Sequence, residues 1–338
     1  MSVSRVVLPW RRLGSAETGF RYENLAGKPI TGRQHLARIE RLVIPPAWRE
    51  VEIAADPSAD LQATGLDAAG RRQYLYHPRT VEERQRAKFA RQPRFGMRLP
   101  GVRERTNQDL GGATPTRRVV VATVVRMIDD AYFRVGSERY AQQNRTFGIT
   151  TLAKRHLSLD GDTLTFTYRG KSAHDHRVVL VAPELAETMA SILELPGRRL
   201  FQYLDEEGAV RPVSARDVNA YIKLAMGPRF TAKDFRTWGG SVVAAEVLAE
   251  LGAPASERQA KRHIAEAVRE VAETLGNTPA IAREAYVNPA VFDWYREGVT
   301  LEDYQRRAER RVRRERLPYD PNELALLTLL RRRRREAA

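Results

Sequence analysis

The chain of 338 residues contains no cysteine. Disulfides, thiol nucleophiles and cysteine zinc sites are therefore excluded, and the composition fits a reducing cytoplasm. No apolar run approaches the roughly 20 residues needed to span a bilayer, so no membrane association is expected. The six histidines show no HExxH-like spacing, and no GxxxxGK(S/T) loop is present. We therefore expect neither a metal nor any other cofactor.

Acidic residues are outnumbered. The chain has 57 Lys and Arg against 42 Asp and Glu, a formal net charge of +15. Such a surplus points first to nucleic acid and second to an anionic membrane surface. The hydrophobic fraction of 42% indicates a globular chain, long enough for two domains. We expect a cytoplasmic, nucleoid-associated protein whose partner is DNA.

Residues 1–90 predict a small β-rich domain of short strands with one or two helices. In one strand Tyr74 and Tyr76 share a face, next to Arg71 and Arg72. Aromatic rings interleaved with arginine are able to grip a DNA backbone or groove, and an ordinary half-buried hairpin has the same pattern. Both interpretations stay open at this point.

Residues 91–338 predict a mainly helical second domain with a small antiparallel sheet, so the fold class is α+β. The segment Val81–Phe95 is charged and helical in pattern. A linker or hinge is expected near residue 90, and the glycine- and proline-containing stretch Pro93–Pro115 fits the same interpretation. Basic residues at the end of the chain, Arg331–Arg335, either bind phosphates or form a solvated helix end.

A buried helix is predicted after Pro93–Pro115. Thr114 and Pro115 have the residue types of an N-cap and a first helical position. The apolar pattern that follows predicts a helix ending at Gly136, with Arg134 in its last turn. A cation is favoured there by the helix dipole, and a rigid helix is also able to deliver a charge to a site.

A three-stranded antiparallel sheet is predicted next. Its strands are His156–Leu159, Leu164–Tyr168 and Arg177–Val181, with the turn signal Asp160-Gly161 between the first two. Lys171 then lies at the second hairpin tip. A lysine at such a tip is usually solvated surface, and it is also free to swing outward.

Further helices carry the remaining candidates. Thr231 is expected to cap a helix that bears Arg236, for which Asp234 is a candidate ion-pair partner.

A later amphipathic helix, Ser256–Leu275, is expected to stop at Gly276. Thr278 before Pro279 then caps a short helix, and Tyr286 lies about two turns along it. A lone tyrosine usually packs against the core.

Five short motifs occur in order along the second domain: FRVGSERY, YRGKSAHDH, KDFRTWGG, GNTP and REAYVNP. Together with IPPAW and RQYLYHP in the first domain, they resemble the type IB DNA topoisomerase family, in its short bacterial and poxvirus-like branch. The resemblance covers nearly the whole chain. Any single motif is weak, but five in this order, with a tyrosine last, are strong.

The resemblance implies roles for five residues. Tyr286 resembles the nucleophile that becomes linked to a DNA 3′-phosphate, and Arg134 and Arg236 match the arginines that bind the nonbridging phosphate oxygens. Lys171 matches the general acid that protonates the departing 5′-oxygen. Asn277 stands where much of the family has a histidine that hydrogen-bonds a nonbridging oxygen, and an amide donates only a neutral hydrogen bond. Other candidates for contacting DNA are Arg139, Tyr140 and Lys233.

These residue types suit phosphoryl transfer independently of any family. A tyrosine with an ordinary pKa of about 10 is a weak nucleophile at neutral pH, and adjacent arginines favour its phenolate. Arginine also matches phosphate geometry with two parallel donors, and an alkoxide leaving group requires a positioned acid. A phosphotyrosine bond retains the free energy of the broken ester, so resealing requires no ATP.

The implied function is relaxation of supercoiled duplex DNA, by a monomer that clamps DNA between its two domains. Two alternatives stay open. A tyrosine recombinase uses the same chemistry, but such enzymes usually have histidine three residues before the second arginine, where this chain has Lys233. They also usually carry a helical amino-terminal domain. A non-catalytic basic DNA-binding protein would share the charge and the aromatic residues.

Overall fold

The computed structural model describes residues 8–110 and 114–336. The chain divides after Ala90 into two compact units. The first unit contains, in chain order, strands β1 (Trp10–Ser15) and β2 (Gly19–Asn24), helix α1 (Arg33–Arg41), strands β3 (Arg49–Ile53), β4 (Leu61–Leu66) and β5 (Arg72–Tyr76), and helix α2 (Pro78–Ala90). This confirms the β-rich character predicted for it.

The first unit is built on one antiparallel sheet, in the strand order β2-β1-β3-β4-β5. Side chains of one sheet face, including Ile53 and Ala63, are buried with Ile39 of α1 in a small core. Because side chains alternate along a strand, Tyr74 and Tyr76 share one face of β5. Their rings stack with centroids 6.3 Å apart, and the Arg84 guanidinium lies 3.9 Å from the Tyr76 ring centroid. Tyr74 is 51% exposed.

The second unit is mainly helical. Its helices are α3 (Gln92–Asp109), α4 (Arg117–Ala131), α5 (Glu138–Asn144), α6 (Pro183–Glu194), α7 (Ala215–Met226), α8 (Ala232–Glu250), α9 (Glu257–Leu275), α10 (Pro279–Ala285), α11 (Pro289–Arg296), α12 (Glu302–Glu315) and α13 (Pro321–Glu336). Its strands are β6 (Leu157–Asp160), β7 (Thr163–Arg169) and β8 (Asp175–Val181), which form one antiparallel sheet, and the short pair β9 (Gln202–Leu204) and β10 (Val210–Pro212). The α+β class is confirmed.

The prediction of a linker over Pro93–Pro115 is wrong for residues 93–109, and residues 111–113 of that stretch lie outside the described part of the structure. Residues 92–109 form α3, with Phe95, Leu99 and Val102 buried on one face at helical spacing. Proline in the first turn costs little, because that N–H has no partner within the helix, and the packed face compensates for Pro100 inside the helix. The charged segment Val81–Phe95 is helical, as its pattern predicts, and it spans parts of α2 and α3, which Arg91 separates.

Both predicted ends of helix α4 are wrong. The N-cap is Thr116 rather than Thr114, and its side chain accepts a hydrogen bond from the N–H of Val119. The helix ends at Ala131, and Tyr132 adopts a left-handed conformation with φ 55°. Arg134 therefore lies on an extended segment after the helix and not in its last turn, so the helix-dipole interpretation fails.

Local signals elsewhere fixed the elements that carry the other candidates. The N–H and the hydroxyl of Thr231 both donate to the Asp234 carboxylate, at 2.9 and 3.0 Å, and the N–H of Asp234 donates to the Thr231 carbonyl, which starts α8. Gly276 ends α9 with φ 57°, and Thr278 caps α10 through the N–H of Ile281. Tyr286 is the residue directly after α10.

The chain from Pro321 returns to the core as α13. Leu324, Leu326 and Leu329 of this helix are buried. Arg331 and Arg332 at its far end are exposed, and the side chains of residues 333–335 lie outside the described part of the structure. Among the described residues, no helix is long and apolar enough to cross a membrane.

Candidate active site

An open cavity of about 450 Å³ collects most of the predicted site residues of the second unit. Tyr286, Arg134, Arg236, Lys171 and Lys233 all line it. They come from α8, from the segments after α4 and α10, and from the turn between β7 and β8. The cavity thus combines one phenol with four cationic groups. The remaining lining residues are Phe133, Val135, Asn219, Thr231 and Ala232.

Arg236 is held by main-chain carbonyl groups. It projects from the second turn of α8 and is 5% exposed. Its Nη1 donates to the carbonyl of Tyr132, and its Nη2 donates to the carbonyl of Leu275 at 2.7 Å. The Asp234 carboxylate does not pair with it, because Asp234 receives Nη2 of Arg91 at 2.6 Å and caps α8. The predicted ion pair between Arg236 and Asp234 is therefore wrong.

Arg134 is held by the turn that precedes α10. Its Nη2 donates to the carbonyl of Gly276 at 2.6 Å and to Oδ1 of Asn277 at 2.7 Å. Burial and then the charge of Arg236 lower the pKa of Arg134 to about 10, so it stays cationic at neutral pH. No carboxylate within the described chain forms an ion pair with Arg134 or Arg236. Two partly or fully buried positive charges without a counter-ion are costly, and an anion bound between them would relieve that cost.

Tyr286 lies beside these guanidinium groups. The Cζ atom of Arg236 is 5.0 Å from the centroid of the Tyr286 ring. Burial alone would raise the pKa of the phenol, but the charges of Arg236, Arg134 and Lys233 act against it, and the net effect lowers the pKa. This environment therefore makes the Tyr286 phenol easier to ionise than an ordinary tyrosine.

Lys171 is exposed on the turn between β7 and β8. The turn is anchored by the N–H of Gly170, which donates to the carbonyl of His174 at 2.7 Å. The ring of His176 stacks on Tyr168 and contacts both Gly170 and Gly276. Lys171 therefore places an exposed ammonium group at the cavity, on a turn that a backbone hydrogen bond closes.

Asn277 is not among the residues that line the cavity, but it contacts Arg134, which is. Its Oδ1 accepts from Arg134, and its Nδ2 donates to the carbonyl of Leu275 at 3.4 Å. The amide is therefore arranged as a support for an arginine. The family histidine at this position donates to phosphate instead, according to the resemblance.

The predicted DNA-contacting residues are spread over both units. In the first unit Arg72 lies on β5, on the same face as Tyr74 and Tyr76, and pairs with Glu50 at 3.5 Å. Arg71 lies in the turn before β5 and pairs with Asp67 at 2.6 Å. Arg139 and Tyr140 lie on α5, where Nε of Arg139 donates to Gln143 at 3.3 Å and Tyr140 is 42% exposed. Lys233 differs from these residues because it lines the cavity.

Sequence analysis missed the backbone groups that hold the arginines. The carbonyls of Tyr132, Leu275 and Gly276 have no signature in side-chain periodicity. The structure also gives His176 a place between the Lys171 turn and Gly276, with its Nε2 buried and without a hydrogen-bond partner. Within residues 8–110 and 114–336, no three His, Asp or Glu side chains are arranged to hold a metal ion.

Known proteins resemble the part of the chain that contains this cavity. Residues 77–310 match the family described as eukaryotic DNA topoisomerase I, catalytic core, and residues 19–67 match the bacterial DNA topoisomerase IB, N-terminal domain. DNA topoisomerase 1B of Acanthamoeba polyphaga mimivirus is 32% identical over 267 residues, which are 77% of this chain and 80% of the relative. DNA topoisomerase 1B of Vaccinia virus (strain Copenhagen) is 25% identical over 69% of this chain and 72% of the relative.

Among solved structures, the XerH site-specific recombinase bound to palindromic difH substrate aligns at 15% identity and a TM-score of 0.35. That alignment covers 66% of this chain and 55% of the recombinase. The family models together cover most of the chain, so the resemblance carried by the five motifs is confirmed. The chain belongs to the type IB DNA topoisomerase family.

Proposed function

We propose that this protein relaxes supercoiled duplex DNA by transient cleavage of one strand through a 3′-phosphotyrosyl intermediate at Tyr286. The observation that carries the proposal is the arrangement of two guanidinium groups, Arg134 and Arg236, beside one phenol and, among the described residues, without carboxylate partners. A phosphodiester is an anion whose charge grows at the transition state. Such a site therefore binds the transition state more tightly than the ground state.

In the cleavage step the Tyr286 phenol loses its proton to solvent, the phenolate oxygen attacks the phosphorus atom, and the bond from phosphorus to the 5′-oxygen breaks. Arg134 and Arg236 bind the nonbridging oxygens, which stabilises the added negative charge. Lys171 gives its proton to the departing 5′-oxygen, because an alkoxide is a poor leaving group. Asn277 keeps Arg134 in place during this step.

Resealing is the reverse reaction, in which the free 5′-hydroxyl attacks the phosphotyrosine and Lys171 recovers its proton. One phosphoester replaces another in each direction, so neither ATP nor a metal ion is required. Between the two steps the cleaved strand rotates about the intact one. We assign the unit that begins at Arg91 to catalysis. We assign the β-rich unit before it, with Tyr74 and Tyr76, to clamping DNA as part of a monomer.

The test is relaxation of a supercoiled plasmid by the purified protein in EDTA and without ATP. Stopping the reaction with detergent should trap a covalent adduct on the 3′-phosphate end of the broken strand. Tyr286→Phe should bind DNA and give no adduct and no relaxation. Tyr203→Phe, a tyrosine outside the cavity, is the control and should behave as the wild type.

Each other outcome points to a different function. DNA binding by the wild type without any adduct would indicate a non-catalytic DNA-binding protein. Adduct formation without relaxation of ordinary plasmids, restricted to a particular paired site, would indicate a recombinase. Full relaxation by Tyr286→Phe would show that the nucleophile is a different residue.

A further inference from the structure

Two adjacent glycines lie in the middle of α8, the helix that carries Arg236. Glycine in a helix interior is less favourable than alanine, because it has more backbone freedom to lose. Gly239 and Gly240 are nevertheless helical, and α8 runs on for ten residues beyond them to Glu250. Glycine at both positions would be explained if neighbouring atoms leave no room for a side chain.

Gly240 faces the backbone of the nucleophile. A Cβ atom at this position would lie 2.9 Å from the carbonyl oxygen of Tyr286 and 3.0 Å from its Cβ. Backbone atoms cannot rotate away as a side chain does, so any substituent here displaces Tyr286 itself. Gly240 therefore permits the approach of Tyr286 to α8.

Gly239 faces the ring of Tyr132. A Cβ atom there would lie 2.2 Å from Cε1 of Tyr132. The carbonyl of Tyr132 accepts the hydrogen bond from Nη1 of Arg236, and its left-handed backbone places that carbonyl. The missing Cβ of Gly239 thus allows the packing of the residue that holds Arg236.

Ser241 adds hydrogen bonds to the same segment. Its Oγ is fully buried, accepts from the N–H of Asn288 at 2.9 Å and lies 3.4 Å from the carbonyl oxygen of Tyr286. Gln92 donates to the same Oγ at 2.9 Å and accepts from Nδ2 of Asn288 at 2.9 Å. The carbonyl of Tyr286 and the N–H of Asn288 are therefore both held at Ser241 of α8.

We infer that Gly239, Gly240 and Ser241 are positioning residues that fix the distance between the Tyr286 phenol and the Arg236 guanidinium. One helix then sets the place of both groups: Arg236 by its side chain, and Tyr286 by contact with the next turn. These residues touch neither the substrate nor the reacting atoms. The inference rests on the proposed role of Tyr286 as nucleophile.

The test compares Gly240→Ala with Gly101→Ala. Gly101 lies in α3, is exposed and has open space where a Cβ would be, so it is a matched helical control. Two quantities are measured. One is the single-turnover rate of adduct formation. The other is the pKa of Tyr286 in the DNA-free protein, by NMR titration of tyrosine labelled with ¹³C at Cζ, with Tyr286→Phe identifying the signal.

Gly240→Ala should slow adduct formation by about 10-fold, since displacements of ~1 Å cost about 10²-fold and this one is smaller. It should also raise the pKa of Tyr286, because the phenol moves away from Arg236. Gly101→Ala should change neither quantity. Ser241→Ala adds no atoms, so it cannot clash, and it should slow adduct formation by about 5-fold.

A folded Gly240→Ala protein with the wild-type rate and the wild-type pKa of Tyr286 would overturn the inference. If Gly240→Ala does not fold, Ser241→Ala decides, and a wild-type rate in that variant overturns the inference. If the wild type forms no adduct but the pKa of Tyr286 rises in Gly240→Ala, the positioning is supported and the proposed function fails.

Discussion

Asn277 accepts a hydrogen bond from Arg134, with 2.7 Å between Oδ1 and Nη2. The same Nη2 atom donates to the carbonyl of Gly276, so the turn after α9 holds one side of the guanidinium group. The other donors of Arg134 are left to face the cavity. In this chain an amide at position 277 orients an arginine without cancelling its charge.

We predict that Asn277→Asp is more damaging than Asn277→Ala. The introduced carboxylate would accept the same hydrogen bond and neutralise Arg134, which removes one of the two charges available to phosphate. Asn277→Ala loses only a positioning contact, worth about 10-fold or less in rate. Asn277→Asp should slow single-turnover adduct formation by about 10²-fold, a loss like that of an oxyanion donor. An aspartate variant that cleaves faster than the alanine variant would refute this view of Asn277.

Lys171→Ala should slow cleavage by about 10²–10⁴-fold, the usual contribution of a general acid. A substrate with a 5′-bridging sulfur has a good leaving group, so the variant should cleave it at close to the wild-type rate. Lys233→Ala is the control, because Lys233 lines the same cavity but is not assigned proton transfer. Sulfur should give it no special rescue. Failure of sulfur to rescue Lys171→Ala would remove Lys171 from the acid role.

Tyr74 and Lys233 should contribute to DNA affinity in different ways. Tyr74→Ala removes an exposed ring and should weaken binding roughly 5-fold, about 1 kcal/mol, with no change in salt dependence. Lys233→Ala removes a cation and should reduce the slope of log K against log salt by about 1. Binding titrations at several salt concentrations measure both. A changed slope for Tyr74→Ala would indicate that the ring acts indirectly, through a phosphate-binding cation.

Arg103→Ala should lower the free energy of unfolding by about 3–5 kcal/mol. Arg103 is 18% exposed and pairs with both Asp129 and Glu323 at 2.6 Å, so its removal leaves two buried carboxylates without a counter-ion. Urea unfolding of the whole chain measures the effect. Arg314→Ala breaks a pair in which Arg314 is 79% exposed and should stay within about 0.5 kcal/mol of the wild type. Equal effects of the two substitutions would contradict the assignment.

The parts of the fold that the sequence predicts well are those with strong local signals. Gly276, Thr278 and Pro279 define the end of α9 and the start of α10 through backbone conformation and side-chain capping within a few residues, and Gly161 in the turn after Asp160 does the same for the β6–β7 hairpin. Motif order then predicted all five catalytic candidates. Four of them line one cavity, and the fifth, Asn277, contacts Arg134. Their proximity in space could not be derived from periodicity.

The errors occurred where tertiary packing overrides local preference. Glycine and proline in Pro93–Pro115 indicate a linker, yet Gly96 allows the Trp238 ring to pack against α3, and a Cβ there would lie 2.7 Å from that ring. The apolar pattern after Arg117 continues beyond Ala131, although the helix does not. Tyr132 ends the helix in a left-handed conformation, and its carbonyl accepts a hydrogen bond from Arg236, a residue 104 positions later.

Helix α13 closes the side of α8 that lies away from the cavity. Glu323 in its first turn accepts a hydrogen bond at 3.0 Å from the indole of Trp238. Trp238 lies on α8, two residues after Arg236. On the ribosome, α13 is made after every residue assigned to chemistry. A nascent chain that has already released Tyr286 would therefore still lack Glu323, which is the hydrogen-bond acceptor of the Trp238 indole and one of the two carboxylates that pair with Arg103. The second unit can therefore be completed only after α13 has been made, although α13 carries none of the residues assigned to chemistry.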